Sequence, residues 1–256
     1  MNYWEQKVVL ITGASSGIGR ALSLRLGSLG ATVGLVARNA EVLKEIETTI
    51  GLGKGRAIAL PADVRDIERV RAITETLRAT FGRIDVVIAN AGIGGTTEGT
   101  RLDVEQIARV ININVMGAAN CAAAAIPEML DRGSGHLVVI SSLAAYRGLP
   151  KSGAYCASKA AVSVFFESLR LELQPKGIDV SIIHPGFIKT PLTADREAKM
   201  PFLMELEDAI DKIITAIERH RTSYAFPWQL AGIVRAGVIM PDFMYDWLAR
   251  RNSFRE

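Results

Sequence analysis

The chain has 256 residues, of which 49% are hydrophobic, so it is long enough for one large domain with a substantial core. Its 30 basic and 27 acidic residues leave a net charge of +3, which is too balanced to favour a nucleic-acid-binding protein. The sequence starts without a signal-peptide pattern and contains no uninterrupted apolar run of about 18 residues. Cys121 and Cys156 lack metal-site spacing and are typical of small buried hydrophobes. We therefore expect a single cytoplasmic domain, residues 1–256, with no metal.

A short apolar run, residues 7–11, predicts a first strand that is buried on both faces. It leads into the glycine-rich segment T-G-A-S-S-G-I-G, which is followed by a helical pattern. The glycines are Gly13, Gly17 and Gly19, a spacing that differs from the commoner G-x-G-x-x-G. A strand, a turn of small residues and a helix N-terminus together favour phosphate binding, because free N–H groups face the anion. We therefore expect a dinucleotide at this turn.

A second strand is predicted over residues 32–37, and Arg38 is the first loop residue after it. In a dinucleotide-binding fold, this strand end meets the ribose of the adenosine, where an acidic residue would bind the 2′-hydroxyl. Here the strand ends in Ala37, and the Arg38 guanidinium is suited to a 2′-phosphate. The sequence therefore favours NADP(H) over NAD(H), the alternative being that Arg38 is simply a solvated loop charge.

Asp63 follows a third predicted strand, residues 56–60, and allows two interpretations. At the carboxyl end of a strand it could accept a hydrogen bond from an adenine amino group. It could equally be the N-cap of the next helix, residues 66–81, which Gly82 is expected to end.

Small residues follow the fourth predicted strand, residues 85–89. Asn90, Ala91 and Gly92 would let the ribose and nicotinamide side of a cofactor lie against the backbone. The glycine- and threonine-rich loop of residues 93–101 is expected to border the substrate opening.

Three asparagines lie in the long helical region predicted for residues 103–129: Asn112, Asn114 and Asn120. Amides need hydrogen-bond partners when they are buried. A water or a main-chain carbonyl would serve Asn114, but the residues alone do not distinguish it from Asn112.

A candidate catalytic group follows the fifth strand, which is predicted over residues 136–141. Ser142 would present its hydroxyl at the carboxyl end of this strand. Tyr155 and Lys159 lie one turn apart on a helix predicted for residues 151–173, so the phenol and the ammonium share a face. A nearby cation favours phenolate, which makes Tyr155 a candidate general acid/base. Tyr-x-x-x-Lys also occurs by chance in many helices.

The sixth predicted strand, residues 179–183, is followed by Pro185 and Gly186, which predict a turn that also borders the nicotinamide. The segment of residues 190–206 is either a mobile cover with an apolar underside or an ordinary surface helix. A last strand is predicted at residues 224–226.

The C-terminal extension, residues 228–256, is rich in apolar side chains and ends with several arginines. Such a surface must be buried somewhere. We expect it to pack on the core or on a second subunit. The alternative is contact with a membrane surface, with the arginines at the lipid head groups.

Strand–helix alternation along the chain predicts an α/β fold, a Rossmann-type doubly wound parallel sheet of about seven strands with helices on both faces. With these motifs in this order, residues 7–226 resemble the short-chain dehydrogenase/reductase family in its single-domain branch. The motifs are the glycine turn, Asn90-Ala91-Gly92, Asn114, Ser142, Tyr155, Lys159 and Pro185-Gly186.

The resemblance implies a role for each catalytic candidate. Tyr155 would transfer the proton, Lys159 would lower its pKa and hold the ribose hydroxyls, and Ser142 would orient the carbonyl. Asn114 would anchor a water in a proton relay. The implied cofactor contacts, which include the glycine turn and the three small residues after the fourth strand, are Gly13, Ser15, Ser16, Gly17, Ile18, Gly19, Arg38, Asp63, Val64, Asn90, Ala91, Gly92, Tyr155, Lys159, Pro185, Gly186, Ile188 and Thr190.

The implied activity is that of an NADP(H)-dependent carbonyl reductase or alcohol dehydrogenase, an oxidoreductase that moves a hydride between nicotinamide and a ketone or secondary alcohol. Phe187, the segment of residues 191–206 and the apolar C-terminal extension favour a hydrophobic ketone or alcohol of lipid or steroid size. The resemblance also implies a homodimer or homotetramer, formed through the helices of residues 103–129 and 152–173. Two alternatives remain: a non-catalytic nucleotide-sensing or scaffolding protein, and a lipid-ketone reductase at a membrane surface.

Overall fold

The computed structural model of the protein describes residues 2–194 and 200–251. Seven parallel strands form one sheet in the order β3-β2-β1-β4-β5-β6-β7. The strands are β1 Val8–Thr12, β2 Thr32–Ala37, β3 Arg56–Pro61, β4 Val86–Ala89, β5 Gly135–Ile140, β6 Ile178–Pro185 and β7 Ser223–Phe226. The doubly wound sheet that the sequence predicts is confirmed, including its seven strands.

Helices connect the strands and cover both faces of the sheet. They are α1 Gly17–Ser28, α2 Ala40–Gly51, α3 Ile67–Phe81, α4 Val104–Ile111, α5 Gly117–Arg132, α6 Gly153–Leu173, α7 Pro191–Ala194, α8 Leu206–Glu218, α9 Trp228–Ile239 and α10 Asp242–Arg251. One core lies between the sheet and α1, α2 and α8, and the other lies between the sheet and α3, α5 and α6. The central strands are therefore covered on both faces, which explains their continuous apolar sequences.

The strand order reverses between β1 and β4, which places a crevice at their carboxyl ends. Strand β1 pairs with β2 on one side and with β4 on the other. The chain therefore leaves β1 and β4 towards opposite sides of the sheet, and ligands bind at such a switch point in open α/β sheets. The glycine turn after β1 and residues 90–92 after β4 lie at this point.

The long helical region predicted for residues 103–129 consists of three parts. Helix α4 is followed by a π-helical turn, Asn112–Met116, and then by α5. Within the described residues, this stretch is apolar and long enough by composition to span a membrane. However, Cys121, Ala125 and Met129 are buried in the core against the sheet, as in the central helix of a globular domain.

The predicted turn at Pro185 and Gly186 is wrong. Strand β6 runs through Pro185, and the Gly186 N–H donates to Phe226 O of β7 at 2.7 Å. Proline is tolerated here because β5 ends opposite Ile183, so Pro185 lies beyond that ladder and pairs only with β7.

The C-terminal extension packs on the domain over part of its surface. Leu230 and Ala231 of α9 are buried against Leu143. Other apolar side chains of α9 and α10 remain exposed, including Trp228 at 78%. Packing on the core is thus confirmed for one face of α9, and contact with a second subunit or a membrane remains a prediction.

The predicted cover, residues 190–206, is described only towards its two ends. Helix α7 forms the first part, and an isolated bridge joins Ile188 to Met204, so the two ends lie close together. Residues 195–199 lie outside the described residues.

Candidate active site

The glycine turn brings β1, α1 and the end of β4 into close contact. Gly13 and Gly17 have φ values of +69° and +51°, a region that side chains rarely adopt. A Cβ on Gly13 would lie 2.9 Å from Ala91 Cα, and one on Gly19 would lie 2.2 Å from Gly13 O. Ser16 is the N-cap of α1 and makes no capping hydrogen bond through its side chain, which leaves the first N–H groups of α1 for an anion.

Asn90 and Thr12 join the ends of β4 and β1. The Asn90 side chain donates to Thr12 O at 2.9 Å, and the N–H groups of Asn90 and Ala91 both donate to Thr12 Oγ1 at 3.1 Å. The side-chain amide of Asn90 therefore holds the turn in place. A cofactor at this position would contact the backbone and not this side chain. Thr12 carries no local sequence signal of this role, because the role depends on contacts across the sheet.

Arg38 and Asp63 lie at the adenosine end of the crevice. Arg38 is exposed directly after β2. The Asp63 carboxylate accepts from the Arg65 N–H, Nε and Nη2 at 3.0, 3.0 and 2.7 Å, and these hydrogen bonds lower the pKa of Asp63. The N-cap of α3 is Asp66, whose side chain accepts from Arg69 N at 3.0 Å. The interpretation of Asp63 as an N-cap is therefore wrong.

Lys159 is buried beneath Tyr155. Its Nζ donates to Ile140 O at 2.8 Å and lies 5.8 Å from the centroid of the Tyr155 ring. Burial lowers the pKa of Lys159 to about 8, because the charged form loses hydration. The predicted sharing of one helix face by Tyr155 and Lys159 is confirmed, since both side chains line the same cavity.

Asn114 is distinguished from Asn112 by its surroundings. Asn112 is exposed, whereas the Asn114 side chain is buried and bonds the main chain of Ile93 in both directions, at 2.8 and 3.0 Å. Asn114 also donates to Ser158 Oγ at 2.9 Å. The predicted main-chain partner is therefore confirmed, and Asn114 joins the end of β4 to α6. Asn114 lies within the π-helical turn, and its side chain faces the interior there.

Gly92 lies where Asn114 and Lys159 meet. A Cβ on Gly92 would lie 3.3 Å from Asn114 Oδ1 and 3.4 Å from Lys159 Nζ. A side chain here would therefore press on the polar groups beneath the cavity.

Ser142 caps the short helical turn of residues 143–145. Its Oγ accepts from Ala144 N at 3.1 Å, and the side chain faces the cavity. The adjacent Ser141 is buried and contacts Lys159 O at 3.1 Å and Ser163 Oγ at 2.7 Å. One serine of the pair thus fixes α6, and the other faces the space beside Tyr155.

A single cavity of about 730 Å³ joins these groups. It contains all of the predicted site residues except Gly19 and Asn114, which lie behind its wall. Gly19 packs closely against Gly13, and the contact of its backbone with a cofactor stays a prediction. The residues present fit a dinucleotide, because small residues and open N–H groups line one half of the cavity.

The other half of the cavity is mainly apolar, and several of its residues were not predicted from the sequence. They come from the loop after Ser142 and from the C-terminal extension, and include Leu143, Arg147, Leu149, Val234, Gly237, Met240 and Tyr245. Their contribution depends on α9 and α10 folding back over the loop, which no local pattern predicts.

His184 lies behind Ser142. Its Nδ1 is 3.4 Å from Ser142 O, and its ring centroid is 5.1 Å from that of Tyr146. Burial lowers the pKa of His184 to about 4. Among the described residues, no group of three or more histidine, cysteine or acidic side chains could hold a metal ion.

Comparisons with known proteins agree with this geometry. A curated relative in Myxococcus xanthus, named an uncharacterized oxidoreductase, is 41% identical over 248 residues, which cover 96% of this chain and 97% of the relative. A ketoacyl reductase, HetN, of a Nostoc species is 32% identical over 84% of this chain and 77% of its own length.

Solved structures give the same result. A short-chain type dehydrogenase/reductase from Mycobacterium marinum matches with a TM-score of 0.80 at 25% identity, over 94% of this chain and 99% of the other. A putative short-chain alcohol dehydrogenase from Sinorhizobium meliloti matches with a TM-score of 0.71 at 34% identity, over 75% and 76% of the two chains. The family described as short chain dehydrogenase matches residues 7–201. The protein is therefore an oxidoreductase of the short-chain dehydrogenase/reductase family.

Proposed function

We propose that the protein is an NADP(H)-dependent oxidoreductase that interconverts a hydrophobic ketone and its secondary alcohol. The observation that carries this proposal is that Ser142, Tyr155 and Lys159 open on the same cavity as the glycine turn. A carbonyl beside these side chains would also lie beside a nicotinamide bound along the turn and the end of β4.

The bound nicotinamide nucleotide would supply or accept the hydride, while the protein supplies binding, orientation and charge. The N–H groups at the start of α1 would bind the pyrophosphate. The backbone of Asn90, Ala91 and Gly92 would support the nicotinamide half. Pro185 and Gly186, held in place by β7, would close the opposite side.

Tyr155 would act as the general acid in reduction and as the general base in oxidation. Its hydroxyl would give a proton to the oxygen of the carbonyl, or take one from the alcohol. Ser142 would hold the same oxygen through a hydrogen bond as negative charge develops on it. Lys159 would place positive charge beneath Tyr155, and Asn114 would keep the end of β4 against α6 and hold the relay water.

The preference for NADP(H) rests on the end of β2. Ala37 and Asn39 flank Arg38, and Asn39 is engaged in capping α2 through Val42 N at 3.1 Å. The exposed guanidinium of Arg38 remains to pair with a 2′-phosphate, in line with the geometric preference of arginine for phosphate.

The substrate class rests on the apolar half of the cavity. Leu143, Val234 and Met240 present hydrocarbon around the space beside Tyr155. The name of the Nostoc relative, a ketoacyl reductase, supports a carbonyl compound with an apolar chain.

The test is oxidation of NADPH and NADH against a panel of small, aromatic, steroid and long-chain ketones. We expect turnover with NADPH, and we expect the Arg38→Ala variant to lose this selectivity over NADH. The Tyr155→Phe variant should lose 10²- to 10⁴-fold in kcat, roughly the range that a general acid contributes, while its Kd for NADPH changes less than about twofold.

Normal turnover by Tyr155→Phe would contradict the assigned role of the tyrosine. Tight NADPH binding by the wild-type protein, with no ketone reduced and no alcohol oxidised, would instead favour a nucleotide-sensing protein.

A further inference from the structure

Arg147 makes a set of contacts that the reaction does not require. It lies in the loop between Ser142 and Tyr155, and its side chain is 21% exposed. Its Nη1 donates to Gly237 O, Val238 O and Met240 O at 2.7, 3.2 and 3.2 Å. One guanidinium thus satisfies carbonyl groups in and just after the last turn of α9, where the helix has few partners of its own and carries partial negative charge.

The same guanidinium holds α10. Its Nη2 donates to Asp242 Oδ1 at 2.5 Å, and its Cζ lies 4.2 Å from the centroid of the Tyr245 ring. The Tyr245 hydroxyl donates back to Gly148 O at 2.5 Å. A Cβ on Gly237 would lie 3.8 Å from the Tyr245 ring, so α10 also packs closely on α9 at this point.

These contacts differ in strength. The Asp242 side chain is 92% exposed, so its ion pair with Arg147 is screened by water and contributes little. The hydrogen bonds to Gly237 O and Met240 O are partly buried and therefore better shielded, and the guanidinium also lies over the Tyr245 ring. Arginine suits this site because its planar group can bond several acceptors and stack on a ring at once, which a lysine cannot do.

The two helices that Arg147 joins form the outer wall of the cavity. Val234 and Gly237 of α9, Met240 between the helices and Tyr245 of α10 all line it, as does Arg147 itself. Arg147 therefore links the loop that starts at Ser142 to α9 and α10, and the cavity side of these two helices is where a substrate would make contact.

We propose that Arg147 is a specificity-determining positioning residue that holds α9 and α10 as the outer wall of the cavity for a large apolar substrate. This proposal rests on the proposed function, because it assigns that wall to the substrate. Arg147 affects the substrate only by positioning α9 and α10, whereas Tyr155 and Ser142 contact the reacting oxygen.

The first measurement needs no substrate. Hydrogen exchange of the backbone amides of residues 242–251 is followed in the wild-type protein and in Arg147→Met, Arg147→Lys and Lys212→Met. We expect exchange at least tenfold faster in Arg147→Met and a smaller increase in Arg147→Lys. Lys212→Met, which removes an exposed charge on α8, is the matched control and should match the wild type. Equal exchange in Arg147→Met and the wild type would overturn the proposal.

The second measurement compares kinetics with a small ketone and a long-chain ketone. For Arg147→Met we expect KM for the long-chain ketone to rise about tenfold, with kcat and the small-ketone kcat/KM changed less than twofold. An equal fall in kcat for both ketones would overturn the proposal by placing Arg147 at the reacting atoms. If the wild-type protein reduces neither ketone, the proposed function fails, and the exchange experiment alone decides whether Arg147 holds the wall.

Discussion

Lys159 brings a charge into the interior of the domain. Its ammonium donates to Ile140 O at 2.8 Å, and burial lowers its pKa from the ordinary value of 10.5 to about 8. Since one pKa unit corresponds to about 1.4 kcal/mol, keeping Lys159 charged costs the nucleotide-free fold roughly 3 kcal/mol. A residue retained at such a cost supports a functional role, because a packed apolar side chain would be more stable there.

This cost predicts how stability changes with pH. Between pH 8 and pH 10.5 the unfolded chain binds a proton at Lys159 that the folded protein has released, so the free energy of unfolding rises with pH. Lys159→Met has no titrating group at this position, so its free energy of unfolding lacks this contribution. We expect the unfolding free energy of the wild type, minus that of Lys159→Met, to rise by roughly 3 kcal/mol from pH 7 to pH 10.5.

Urea denaturation of the nucleotide-free proteins measures this difference. The difference between the wild type and Lys159→Leu should rise with pH in the same way. The packing cost of each substitution shifts this difference by a constant and does not change its dependence on pH. A difference that stays flat across this range would mean that burial does not penalise the ammonium.

At the scale of an element, Asp63 and Asp66 have separate tasks. Asp66 caps α3 through Arg69 N, whereas Asp63 faces the crevice and pairs with Arg65. Asp66→Ala should lower the free energy of unfolding by about 1 kcal/mol, a fall of roughly 2–4 °C in Tm, without changing the Kd for NADPH. Asp63→Asn should weaken NADPH binding with less effect on Tm. Calorimetry and nucleotide titration of both variants would contradict this assignment if the two effects were exchanged.

The elements show which features the sequence could predict. Strand–helix alternation and the helix stop at Gly82, which has a φ of +84°, depend on local preferences and were predicted correctly. The extension of β6 through Pro185 depends on where β5 ends, and the burial of Asn114 is accompanied by hydrogen bonds to Ile93 and Ser158, which are distant in sequence. The role of Arg147 depends on contacts with residues 90 or more positions away. Local sequence patterns contain no information about such contacts.

At the scale of the whole molecule, buried histidines near opposite ends of two strands link stability to acid. His136, near the start of β5, bonds Ser181 Oγ at 2.8 Å and stacks on His220 with ring centroids 4.9 Å apart. Burial lowers the pKa of His136 to about 3 and that of His184, near the end of β6, to about 4. Both histidines remain neutral in the folded protein at pH 5, whereas the same two side chains are protonated in the unfolded chain at this pH.

Acid should therefore destabilise the fold through both histidines. As pH falls from 7 to 5, the unfolded chain binds these protons, and each histidine should lower the free energy of unfolding by roughly 2 kcal/mol. His136→Gln, which can still bond Ser181, should lose roughly 2 kcal/mol less than the wild type over this interval. Urea titrations at the two pH values measure the loss, and an identical loss in both proteins would contradict the assignment to His136.

The outer faces of α4 and α6 predict how whole molecules associate. The two helices pack together, and their exposed apolar residues include Val104 at 72% and Val164 at 66%. Two copies joined through this surface would bury it, as in the homodimer or homotetramer that the family resemblance implies. Val164→Glu would place an unpaired charge in that interface and should convert the oligomer to monomers, because desolvating a lone carboxylate costs several kcal/mol.

Leu52→Glu, at an 86% exposed position after α2, is the matched control and should keep the wild-type mass. Light scattering coupled to size-exclusion chromatography distinguishes these outcomes, and a monomeric wild type, or an unchanged mass in Val164→Glu, would rule out association through this face.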